Sequence, residues 1–164
     1  MKRRKASGSI PKGGSPPGGG RAHVREPGAS VRGAVLVVDD QAAQRLLVTT
    51  VLESMAGERD VLVREAPTAV RALAVLEGLP PELPVLVLTD AVMPGMNGLA
   101  LVKTARQNFR DRRVRYVLFT AHEGEHFSDV RAEFGIDAVA TKPVGIDALR
   151  GVLREQLDDW LRMG

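Results

Sequence analysis

Five polar residues stand where chemistry is easy to assemble. Each comes at the end of a short apolar run. Asp39 and Asp40 follow residues 34–38, and Asp90 follows 85–88 and Thr89. Thr120 follows 114–119, and Lys142 follows 138–140 and Thr141. Three carboxylates brought together repel one another unless a cation lies between them. Mg²⁺ suits such a set, because it takes oxygen ligands, keeps several waters and bridges carboxylates to phosphate. A carboxylate can also act as a nucleophile and form an aspartyl phosphate. Phosphoryl transfer then needs mainly positioning and charge neutralisation, which Mg²⁺, an ammonium and a hydroxyl supply.

The elements that must position these residues are legible in the periodicity. The runs at 34–38, 61–63, 85–88, 114–119 and 138–140 are short, apolar and rich in β-branched residues, as strands buried on both faces are. Between them the apolar residues recur at helical spacing. This predicts helices over 41–55 with Gly57 as C-cap, over 67–77 with Pro67 in the first turn, and over 97–107. A further helix falls somewhere within 125–134, and a last one covers 146–161. Five strand-helix alternations with short connections imply a parallel sheet covered on both faces, an α/β three-layer architecture. Ligands of such sheets bind at the carboxyl ends of the strands, where the five polar residues lie.

Composition separates a tail from this body. The chain of 164 residues carries 23 Lys and Arg against 20 Asp and Glu, a net charge of +3. Residues 1–33 hold eight basic residues and one acid, so the tail carries +7, and subtracting that from +3 leaves −4 for residues 34–164. The tail also holds eight of the 17 Gly and four of the 10 Pro, with no aromatic residue. Such a segment buries too little apolar surface to offset its ordering entropy, so 1–33 is expected to be a disordered basic tail and 34–164 the folded domain. Without aromatics for base stacking, the tail gives only a weak reason to expect nucleic-acid binding. The absence of Cys excludes disulfides and thiolate catalysis. No apolar run approaches the ~18–20 residues of a membrane span. The basic start, Lys2 to Lys5, is not followed by an apolar core of the export type, so a cytoplasmic protein is expected.

The motifs together resemble the receiver domain of two-component response regulators. Those that carry the resemblance are Val35-Leu-Val-Val-Asp-Asp40, Thr89-Asp-Ala-Val-Met-Pro-Gly-Met-Asn-Gly98, Phe119-Thr-Ala121 and Thr141-Lys-Pro143. The similarity covers about residues 34–162. It implies a flavodoxin-like doubly wound sheet of order 2-1-3-4-5. It also implies that Asp90 accepts a phosphoryl group from a phosphohistidine on a sensor histidine kinase or a histidine phosphotransfer protein. Asp39, Asp40 and Asp90 would hold Mg²⁺ together with the backbone carbonyl of Val92. Lys142 would pair with the phosphoryl oxygens, and Thr120 and the Ala121 amide would hydrogen-bond them. Pro143 would follow a cis peptide bond. Such a domain is not an enzyme beyond its own phosphorylation and dephosphorylation, and output would pass to a downstream partner protein.

The chain departs from the family pattern at the switch position. An aromatic residue is usual three positions before the strand-five Lys; here it is Val139, and Val144 follows Lys-Pro where Phe is common. Conventional switching is therefore in question. The alternative is a receiver-like interaction module in which phosphorylation changes little. A phosphohydrolase of the haloacid-dehalogenase type would need a second acid where Val92 stands. His122-Glu-Gly-Glu-His126 matches a zinc-protease string, but it follows a strand directly and Gly124 weakens a helix there, so it reads as a polar loop. Arg106, Arg110, Arg112, Arg113 and Arg115 cluster at the opposite edge of the sheet. They read as a solvated loop, with a docking patch for an acidic partner as the alternative. Met93 and Met96 read as packing residues.

Overall fold

The computed structural model of the chain describes residues 30–121 and 127–164. The expected tail through residue 29 and the His122–His126 string lie outside them. Among the described residues, β1 (Gly33–Val38) leads to α1 (Ala42–Ala56) and β2 (Val61–Ala66) to α2 (Ala69–Gly78). β3 (Val85–Thr89) leads to α3 (Gly98–Asn108), β4 (Val114–Thr120) to α4 (Phe127–Phe134), and β5 (Ala138–Thr141) to α5 (Ile146–Met163). All neighbouring strands pair in parallel, in the order β2-β1-β3-β4-β5. This is the flavodoxin-like doubly wound sheet expected from the sequence.

The unbroken apolar strands are explained by helices on both faces. Alternate residues of a strand point to opposite sides. Leu36, Val87 and Leu118 therefore face a layer with Ala72 and Leu76 of α2 and Leu101 and Val102 of α3. Val37, Leu88 and Phe119 face the other layer, with Val51 and Leu52 of α1 and Leu149, Leu153 and Leu157 of α5. Truncating any one of these leucines to Ala would cost roughly 2–5 kcal/mol.

The helix ends differ in detail from the sequence expectation. Pro67 lies before the helix, not in its first turn, because the Thr68 hydroxyl caps α2 by accepting from Arg71 N at 3.1 Å. Asn97 caps α3 in the same way, accepting from Ala100 N at 2.9 Å. Gly57 does follow α1, but at φ −58° it continues into a short 3₁₀ turn, and Asp60 takes the left-handed conformation at φ 54°. The first strand begins at Gly33, one residue into the expected tail. A Cβ there would come within 2.5 Å of the Trp160 ring and 2.9 Å of Pro84 O, so only glycine lets β1 and α5 close on each other.

The arginine-rich connection does lie at the amino-terminal edge of the sheet, yet it is only partly a solvated loop. Arg112 donates to the carbonyls of Leu76, Leu79 and Pro80, and so ties down the end of α2. Arg106 stacks on the Tyr116 ring at 4.6 Å, pairs with Asp137 at 2.6 Å and donates to Gly135 O at 3.0 Å. Arg110 and Arg113 are exposed.

Candidate functional site

Strand register builds the site. Val38 pairs with Ala66 on one side and Thr89 on the other, and Thr120 pairs with Thr141. The strands thus end nearly level, and the next residues, Asp39, Asp90 and Lys142, emerge along one edge. Asp39 N donates to Ala66 O at 3.2 Å and Asp90 N to Val38 O at 2.9 Å, which extends the ladder one step into the site. Lys142 N donates to Thr120 O at 2.8 Å and fixes the root of the lysine side chain.

The side chains converge from there. Lys142 Nζ lies 2.5 Å from Asp39 Oδ2 and 3.3 Å from Asp90 Oδ2. The three side chains are nearly buried, at 10%, 3% and 9% exposure respectively. The second oxygens are held too: Asp39 Oδ1 accepts from Gln41 N at 2.9 Å, and Asp90 Oδ1 from Val92 N at 3.2 Å. Asp40 is exposed beside them, and carboxylate oxygens of Asp39, Asp40 and Asp90 all lie within 4.8 Å of one another. Thr120 is buried at the same edge, and Ala121 follows it at the surface. Each of the five residues singled out by sequence reaches this edge.

The charges do not balance. Three carboxylates face one ammonium, leaving a formal −2 in a partly dry corner. A small divalent cation with oxygen preference fits this donor set, since it offers hard carboxylate oxygens and no softer ligand. Among the described residues, no His or Cys belongs to the cluster.

Two residues of the site were given no role in the sequence reading, although Gly98 closes one of its motifs. Arg45, on the first turns of α1, donates from Nη1 to the backbone carbonyl of Asp39 at 2.8 Å, and its Nε lies 3.6 Å from Glu65 Oε2. The signal was present, because a cation near a helix amino terminus opposes the helix dipole and calls for another partner. Gly98 opens α3, and a Cβ there would stand 2.0 Å from Asp90 O. Its absent side chain lets Gly98 N donate to Ala91 O at 3.1 Å and draws α3 against the loop that carries Asp90.

One expectation is corrected. No peptide bond among the described residues is cis, so Pro143 follows Lys142 through a trans bond. The ammonium points inward because Lys142 N is anchored to Thr120 O, and the turn is taken by Gly145 at φ 95°. Val139, on β5 opposite Leu118, is 36% exposed, and Val144 is almost wholly exposed. Met93 is buried in the core and Met96 packs against it, as expected of packing residues.

A parallel sheet of this order with an acidic cluster at its carboxyl edge defines a receiver-type domain. The model of the response regulator receiver domain family matches residues 35–154, and the chain belongs to that family. Chemotaxis protein CheY1 of Helicobacter pylori is 33% identical over 124 residues, which span 76% of this chain and 93% of that protein. Sporulation initiation phosphotransferase F of Bacillus subtilis is 28% identical over 123 residues, 75% of this chain and 92% of that one. The structure of chemotaxis protein CheY4 of Vibrio cholerae superposes with a TM-score of 0.62 at 21% identity, covering 76% of this chain and 98% of that one. Among the described residues, no helix is long and apolar enough to cross a membrane.

Proposed function

We propose that this receiver domain accepts a phosphoryl group on Asp90 from a phosphohistidine of a sensor histidine kinase or a histidine phosphotransfer protein. An Asp90 carboxylate oxygen attacks phosphorus, the O–P bond forms as the N–P bond breaks, and the donor imidazole leaves with a proton. Asp39, Asp40, Asp90 and the Val92 carbonyl would hold Mg²⁺. When bound, Mg²⁺ neutralises charge on the phosphoryl oxygens and their carboxylate neighbours. Lys142 shifts from its carboxylate partners to a phosphoryl oxygen, while the Thr120 hydroxyl and the Ala121 amide donate to the others. The modified surface then engages a downstream protein in the cytoplasm.

The observation that carries this reading is the Lys142 ammonium held between Asp39 and Asp90 at 2.5 and 3.3 Å. It keeps a cation beside a nucleophile whose product is more anionic than the free carboxylate. The test is incubation of the full chain with acetyl phosphate and Mg²⁺, followed by intact-mass measurement. One labile phosphoryl adduct that needs Mg²⁺ is expected. Absence of an adduct, or its persistence in Asp90→Ala, overturns the assignment.

A second reading has its own observation. Val139 is 36% exposed and lacks a ring that could turn inward beside Thr120. On this reading the domain is an interaction module whose partner surface changes little on phosphorylation. Equal affinity of a partner for the free and phosphorylated forms would favour it.

A further inference from the structure

We infer that the amino-terminal edge of the sheet carries a second binding site, an arginine-rimmed groove that receives an acidic peptide segment of a partner protein. The groove has a volume of about 480 Å³ and lies at the edge opposite the carboxylates. Arg32 precedes β1 there, Pro84 precedes β3, Arg113 precedes β4, and Val114 and Arg115 open it. Trp160, Leu161 and Met163 of α5 supply an apolar wall. The cavity therefore offers apolar surface for one anchoring side chain, and guanidinium groups around it for carboxylates.

Charge points to the occupant. Among the described residues, Arg32, Arg113 and Arg115 take part in no ion pair. Among the described residues, Asp137 is the one acidic side chain on the lining, which Gly164 also joins beside Arg113, and its Oδ2 already accepts from Arg106 at 2.6 Å and from Tyr116 N at 2.7 Å. Among the described residues, Arg115 is the one of the three with a buried donor left unpaired. Its Nη1 reaches only the Met163 thioether at 2.8 Å, and its Nε is buried with no hydrogen-bond partner. A thioether is a weak acceptor, and a buried unpaired donor is costly, so a carboxylate entering the groove would gain bonds the fold leaves unmade. Arg106 and Arg112, by contrast, are held by Asp137 and the end of α2 and are not available. The guanidinium fork matches a carboxylate in two-point geometry, which favours an acidic segment over a neutral one.

Trp160 lines the groove and is the single tryptophan of the chain, so its fluorescence reports occupancy. The test titrates the full chain with a short peptide of aspartates and glutamates around a central leucine. The same peptide with asparagine and glutamine replacing the acids is the comparison. The acidic peptide is expected to give a saturable change that weakens with added salt, while the amide peptide gives none. Arg113→Gln with Arg115→Gln should weaken binding at least about tenfold, and Arg110→Gln, whose residue lies outside the lining, should leave it unchanged. Arg113 is exposed, so Arg113→Gln alone keeps the fold and should still weaken binding. The inference is overturned if the acidic peptide produces no saturable change, if the amide peptide binds equally, or if the arginine variants bind like the parent. It is also overturned if a short single-stranded DNA binds there in preference to the peptide. None of these outcomes bears on phosphoryl uptake at Asp90, which is read at the other edge of the sheet.

Discussion

Replacing Lys142 by Met should destabilise the metal-free protein sharply and make it depend on Mg²⁺. Met preserves most of the apolar stem, which runs beside Phe119, with Nζ 5.8 Å from that ring. What it removes is the ammonium that lies 2.5 Å from Asp39 and 3.3 Å from Asp90, carboxylates of 3% and 9% exposure. Removing one partner of a buried ion pair leaves uncompensated charge, and such changes cost about 3–5 kcal/mol. Here Asp40 and the edge itself admit some water, so the lower end, ~3 kcal/mol, is the expectation. For a domain of this size that is a fall in melting temperature of roughly 6–12 °C. A divalent cation that binds only the folded state restores stability in proportion to the logarithm of its excess over Kd, about 2.7 kcal/mol at a hundredfold excess. Thermal unfolding of parent and Lys142→Met, each with and without saturating Mg²⁺, measures both effects. Adding Asp39→Asn to Lys142→Met should recover part of the loss in metal-free buffer, because one unpaired charge goes with it. If Lys142→Met is as stable as the parent without Mg²⁺, the ammonium is not what holds the carboxylates together and the reasoning fails.

Other perturbations probe separate parts of the fold. Arg45→Ala should weaken Mg²⁺ binding, measured by calorimetry, by severalfold, because it frees the Asp39 carbonyl that Arg45 Nη1 holds at 2.8 Å. Arg45→Lys should recover only part of that affinity if the bond is geometric. Gly98→Ala should cost about 1–3 kcal/mol or more in urea unfolding, since its Cβ would stand 2.0 Å from Asp90 O and force α3 and the Asp90 loop apart. Tyr116 is buried, and among the described residues its hydroxyl has no hydrogen-bond partner, so Tyr116→Phe should leave stability unchanged or raise it slightly. Burial, only partly opposed by the Arg106 cation, pushes the Tyr116 hydroxyl up from 10.0 to about 12. Its folded pKa lies above its unfolded one, so its contribution is complete below pH 10.0 and is lost as pH rises toward about 12. Tyr116→Phe should flatten that alkaline decline, and an unchanged pH profile would refute the assignment.

The sheet and its functional edge were legible because they arise from local patterns. Strands buried on both faces must be short apolar runs, and the residues just beyond them must be polar because the sheet ends there. Asp39, Asp90 and Lys142 could therefore be placed without coordinates. Detail that depends on contacts distant in sequence was not legible. Arg112 looked like one arginine of a charged loop, but it closes α2 more than thirty residues earlier through Leu79 O at 2.6 Å. Arg106 looked equally solvated, yet its stacking on Tyr116 and its bond to Asp137 join α3, β4 and the start of β5. The trans bond before Pro143 was unreadable for the same reason, since the tertiary setting selects the isomer. Pro67 misled because proline at a first-turn position and proline ahead of a cap look alike until the Thr68 hydroxyl is seen accepting from Arg71 N.

The central claim is that Asp90 is the phosphoryl acceptor, and chemical mapping tests it most directly. Borohydride reduces an acyl phosphate to the alcohol, so a phosphorylated aspartate becomes homoserine. After treatment with acetyl phosphate and Mg²⁺, borohydride reduction and peptide mapping should find homoserine at position 90 and at no other aspartate. Homoserine at position 39 or 40, or none at any position, would contradict the account.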